Sequence, residues 1–132
     1  MEKLKRANMV NYDYFTQAEL QCHCSYPECD GGEMSPAFMV RVIDLRKFLD
    51  FPFPVSSGFR CARHNTDVGG RSNSLHLLGQ AIDIGIDRDR AYQLVADAKN
   101  FGMRGIGVRQ VGSKRFVHID NRPQDHVSFW SY

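Results

Sequence analysis

The six residues "AIDIGI", Ala81 to Ile86, restrict what this chain can become. Their apolar side chains recur with a period of two, the repeat of a β-strand. Ile82, Ile84 and Ile86 share one face, and Ala81, Asp83 and Gly85 share the other. The isoleucine face has to be covered by other apolar elements, so the strand belongs to a sheet packed on one side. Asp83 then projects a carboxylate from the face not used for packing. In the longer stretch "SNSLHLLGQAIDIGI", His76 precedes it by six intervening residues.

Other segments supply the covering layer. Thr16 opens "TQAEL", a capping box with Glu19 that predicts a short first helix. "CSYPECDGGEM" is turn chemistry. Ser35 caps a second helix with Pro36 at its first position, running to about Leu49. Its stripe is Phe38, Val42, Leu45 and Leu49, widened by Met39 and Phe48. The prolines of "FPFPVSSGF" confine it to a short edge strand, Val55 to Ser57. "RCARHNTDVGGRSN" reads as a long polar loop, a type more often functional than idle. Asp87 caps a third helix with the stripe Ala91, Leu94, Val95, Ala98 and Phe101, ended by Gly102. "GIGVR" and "RFVHID" read as a hairpin, Ile106 to Arg109 and Arg115 to Asp120. Val117 and Ile119 face the core, while Phe116, His118 and Asp120 face the other way. The aromatic tail "HVSFWSY" is expected to pack on the domain edge. The chain of 132 residues has no repeat and no linker, so residues 1–132 are expected to form one domain. The expected class is α+β: a small antiparallel sheet with helices on one face and the polar residues on the other.

Composition narrows the function. Lysine and arginine number 17 against 15 acids, a net charge of +2, too small to argue for nucleic acid. No apolar run approaches the ~20 residues of a membrane span. The charged start "MEKLKRANMVNYDYF" has no apolar segment behind it, so no secretory signal is expected. The protein is expected to be made and kept in a cytoplasm unless released. There disulfides are disfavoured. Cys22, Cys24 and Cys29 lie close together, and with Cys61 or His23 they could hold a structural metal. Disulfides and free buried thiols are the other readings, because C-x-C-x4-C is not a common zinc spacing.

His76, Asp83 and His118 are two imidazoles and one carboxylate on a polar face. That set suits Zn²⁺ with an open fourth position, the catalytic pattern. The alternative is a surface aspartate and two incidental histidines, since H-x6-D is no general zinc signature.

The motifs "SGFRCARHN", "VGG", "SNSLHLLGQAIDI", "GIGV" and "FVHID" occur in an order that resembles the M15 family of zinc D,D- and L,D-peptidases. That family belongs to the fold group shared with lysostaphin and Hedgehog. The resemblance covers most of the chain. It implies zinc on His76, Asp83 and His118 and cleavage of a peptide bond in peptidoglycan, by a carboxypeptidase or an endopeptidase. It also implies a site role for Arg60 in "SGFR", hydrogen-bonding a substrate oxygen; a structural ion pair is the alternative. Ser74 would orient the metal loop, touch substrate or simply make a turn. Many family members carry a glutamate base three residues before the strand histidine; here that position is Arg115. Asp120 is the expected replacement, as base or as the acid that orients His118. His64 and Asp67 are further candidates. The chain is similar to bacteriophage endolysins of the family, which implies a monomer that leaves the host cytoplasm to act on the wall. A non-catalytic module that binds wall peptides or a protein is the competing function, kept open by Arg115.

Overall fold

The computed structural model describes Leu4, Lys5 and residues 11–132; the rest of the charged start lies outside the described residues. The elements run α1 (Gln17–Leu20), α2 (Pro36–Leu49), β1 (Val55–Ser57), α3 (Ala62–Asp67), β2 (Ala81–Ile84), α4 (Arg88–Ala98), β3 (Gly105–Arg109), β4 (Phe116–Asp120) and β5 (Ser128–Ser131). A 3₁₀ turn, Leu75–Leu78, precedes β2, and another, Lys99–Phe101, extends α4. The five strands form one sheet in the order β1-β2-β4-β3-β5. The class is α+β.

The alternation of β2 and β4 sorts the two faces. Ile82, Ile84, Val117 and Ile119 are fully buried against Phe38, Met39, Val42 and Leu45 of α2 and Leu94 of α4. Fully burying each such side chain stabilises the fold by about 1.5–3 kcal/mol. Thr16 and Glu19 form the anticipated capping box, and the Ser35 hydroxyl accepts from the Phe38 amide. Phe48 departs from the expected stripe: it is 63% exposed, its ring tilted against that of Phe101 with centroids 5.4 Å apart.

Two expectations change. The polar stretch after Arg60 is not all loop, because α3 forms within it, opened by Cys61, whose sulfur accepts from the His64 amide. This helix has no apolar stripe, so periodicity had nothing to register. The sheet is also mixed: β5 adds parallel to β3, with Gly107 opposite Trp130. The tail does lie on the domain edge, but as a strand.

Gly79 joins the layers. It ends the 3₁₀ turn at φ 67°, and its carbonyl accepts from the Ser35 amide at the start of α2, 2.9 Å. A Cβ there would collide with the backbone of Glu33 and Met34. Gly79→Ala should therefore cost more than the ~1–2 kcal/mol of a left-handed residue alone. Denaturant unfolding checks this: the midpoint should fall with an unchanged slope.

Candidate metal centre

Asp83 sits in the middle of β2, paired in register with His118 on β4. His118 approaches from that neighbouring strand, and His76 from the 3₁₀ turn that leads into β2. His118 Nδ1 lies 2.9 Å and His76 Nε2 3.3 Å from the same oxygen, Asp83 Oδ1. All three residues are buried, and one ligand atom from each lies within 4.8 Å of the others.

The outer nitrogens define the proton positions. His76 Nδ1 is 2.7 Å from the Gly58 carbonyl, which can only accept, so that nitrogen carries a proton. His118 Nε2 is 2.7 Å from Asp120 Oδ2. With both outer nitrogens protonated, the neutral imidazoles aim lone pairs at a carboxylate oxygen. Such convergence is repulsive unless protons or a cation lie between. Two imidazoles and a carboxylate fit a divalent transition ion with a position left for another ligand.

The supporting contacts are charged. Asp120, 1% exposed, accepts from Arg122 Nε at 2.9 Å and Nη2 at 2.8 Å, besides its bond to His118. Arg60 donates to Asp83 Oδ2 at 3.2 Å, and to Ser57 and the buried amide of Asn65. Asn65 in turn donates to the Arg71 carbonyl, 2.8 Å. Two glycines of β3 clear the space. A Cβ on Gly105 would strike the Asp120 carboxylate, and one on Gly107 would strike the Trp130 indole. The Trp130 ring thus lies beside His118, centroids 5.3 Å apart, with Arg122 over its other part. Phe116 and Tyr132 extend this aromatic wall.

Burial opposes ionisation of Asp83; without a metal, hydrogen bonds donated by the inner nitrogens of His118 and His76 outweigh it and hold the carboxyl well below its usual range. Asp120 is held low in the same way, against its burial, by Arg122 and His118. Burial would lower the His118 pKa, yet the two carboxylates raise it.

The structure thus gathers His76, Asp83, His118, Asp120 and Arg60 around one point. The Ser74 hydroxyl accepts from the His76 amide, 3.3 Å, at the start of the metal-side turn. His64 is half-buried on α3, its pKa lowered by burial and by Arg60. Asp67 is exposed and accepts from the Tyr26 hydroxyl. Arg115 lies ahead of β4 and donates to the Gly112 carbonyl at 2.8 Å. Sequence reasoning missed Arg122, Asn65 and Trp130. The glycine alternation in "GIGV" was the available signal for a bulky neighbour at Trp130.

A second group, Cys22, Cys24, Cys29 and Cys61, also has its ligand atoms within 4.8 Å. Burial pushes the Cys22 thiol up to about 12. At Cys24 burial is outweighed by the hydrogen bond from Lys5 and by those from its neighbours, bringing it down to about 6.

Residues 13–120 match the family described as Peptidase M15. The chain is also 33% identical, over 131 aligned residues, to the zinc D-Ala-D-Ala carboxypeptidase of Streptomyces albus G. That alignment covers 89% of this chain and 48% of the relative, so the chain spans about half the relative's length.

Without metal, these pKa directions fix a stability window. Asp83 and Asp120 are lowered, so their contribution is complete above about pH 4 and lost as pH falls through their folded values. His118 is raised, so its contribution is complete below about pH 6.5 and lost as pH rises through its folded value. The chelated protein should show its highest thermal midpoint between those limits as far as these groups act. His118→Gln should abolish the decline on the alkaline side. A midpoint that climbs steadily from about pH 5 to about pH 8 would show that the imidazolium does not form.

Proposed function

We propose that this chain, which belongs to the M15 peptidase family, is a zinc-dependent peptidase acting on peptidoglycan peptides. The observation that carries the reading is the convergence of His76 and His118 on one oxygen of the buried Asp83. Family membership and the zinc-dependent relative support zinc as the ion that these three residues hold. When bound, zinc supplies Lewis acidity toward a carbonyl and promotes ionisation of water.

The protein's own groups prepare that chemistry. Asp120 keeps the proton on His118 Nε2, leaving Nδ1 for the metal, and Arg122 keeps Asp120 in place. The Gly58 carbonyl does the same for His76. Arg60 holds the outer oxygen of Asp83, so its guanidinium acts through the ligand. Ser74 fixes the start of the His76 turn. With both Asp120 oxygens engaged, the geometry favours orientation over general base catalysis as its role.

The carboxypeptidase relative favours release of a terminal D-Ala, with endopeptidase cleavage of a stem or crosslink as the other specificity. We read residues 1–132 as one such domain, a monomer of endolysin type that lyses the wall after leaving a host cytoplasm. The family resemblance supports this extension. No helix among the described residues is long and apolar enough to cross a membrane.

Purified peptidoglycan should gain free amines on digestion, and mass spectrometry of the muropeptides should identify the bond. Retained binding without new amines would favour the binding module. His118→Ala should abolish hydrolysis and remove the ion at this centre. Asp120→Asn should weaken metal affinity by about 10–100-fold, with activity partly restored by added zinc. A turnover loss of about 10²–10⁴-fold with full zinc content would return Asp120 to the role of base.

A further inference from the structure

The four cysteines lie apart from the histidine centre, on three different segments. Cys22 and Cys24 leave α1, Cys29 follows in the turn, and Cys61 opens α3. None is bonded to another, and Cys24 Sγ and Cys61 Sγ are 3.9 Å apart. A tetrahedron of zinc–sulfur bonds of about 2.3 Å places its sulfurs about 3.8 Å from one another. A disulfide would need about 2 Å. With one pair at 3.9 Å and all four sulfurs within 4.8 Å of one another, the cluster is close enough to contract onto a single ion and too wide for disulfides.

The donors around the sulfurs form a second, independent observation. The Cys61 amide donates to Cys22 Sγ at 3.3 Å, the Gly31 amide to Cys29 Sγ at 3.4 Å, and the His64 amide to Cys61 Sγ at 3.4 Å. The Lys5 ammonium donates to Cys24 Sγ at 3.0 Å. Every sulfur receives a hydrogen-bond donor, an environment that suits metal-bound thiolates. His23, the other nearby ligand type, is exposed with its Nε2 3.0 Å from the Ala18 carbonyl. Cys61 completes the set.

We propose that Cys22, Cys24, Cys29 and Cys61 form a second metal site, a closed tetrathiolate shell for zinc that clamps the turn after α1 to the start of α3. Four protein ligands leave no open position, so the site is structural. Two of the four negative charges are balanced by the ion, and Lys5 offsets part of the remainder.

Cobalt(II) alone, added to the reduced 132-residue chain, tests the assignment independently of any peptidase activity. Thiolate-to-cobalt charge-transfer absorption should appear in the wild type and persist in His118→Ala. Cys24→Ser should lose it. Zinc loading should give two ions per wild-type chain and one in His118→Ala. Should Cys24→Ser fail to fold, thiol counting on the wild type decides. Four thiols should be protected in the native zinc-loaded protein and four titrated after chelation and denaturation without reductant. Fewer than four in the denatured, unreduced protein would mean disulfides and overturn the site. Rapid reaction of all four in the zinc-loaded native state, or no charge transfer in the wild type, would overturn it equally.

Discussion

Everything near the sheet's polar face is arranged around one buried carboxylate. Asp83 is ionised and almost without water contact, a placement that costs several kcal/mol unless partners replace its hydration. His76, His118 and Arg60 supply those partners, and each is itself anchored. His118 is anchored through Asp120 to Arg122, and His76 through its outer nitrogen to the Gly58 carbonyl. The isoleucine face of the same strand stabilises the fold on the other side. Burial of Ile82 and Ile84 contributes about 1.5–3 kcal/mol each, comparable with the cost it offsets. A strand that is hydrophobic on one side and ionic on the other can thus remain wholly buried.

The first half of this arrangement was legible in the sequence. Period-two alternation put Asp83 opposite the isoleucines and put His118 and Asp120 together, opposite Val117 and Ile119. The register that pairs Asp83 with His118 was not legible, because it depends on which strands become neighbours. Helix α3 was hidden for a different reason. It is a short polar helix whose start depends on a cysteine sulfur and whose buried Asn65 is held by Arg60. Strand β5 was hidden because its burial alternates weakly and its partner, β3, is distant in the chain and parallel. Trp130 left only an indirect sign, two glycines on β3 whose missing side chains make the room it and Asp120 use.

The segment "SGFRC" shows what a short motif means once distances are known. Ser57 accepts from Arg60 Nε. Gly58 receives the His76 ring and lies so close to Leu20 that a Cβ would meet its carbonyl at 2.6 Å. The Phe59 amide donates to that Leu20 carbonyl, 2.9 Å, and the Arg60 amide to the His76 carbonyl, 3.1 Å. The Cys61 amide donates to Cys22 Sγ. Five consecutive residues therefore tie α1, the cysteine cluster, the histidine turn and Asp83 together.

That chain of contacts gives the two clusters different physical tasks on one backbone. A metal centre on His76, Asp83 and His118, as proposed, would tolerate only small displacements, because the convergence on Asp83 Oδ1 is set by angles as well as distances. In the segment that orients it Ser57, Arg60 and Cys61 are half-buried, and Phe59 supplies the apolar contact with the core. The proposed tetrathiolate shell would hold this segment without occupying the polar face, because its ion would be satisfied entirely by the protein. On that proposal rigidity is supplied one residue beyond Arg60, and the polar face beside Asp83 stays free for a further ligand.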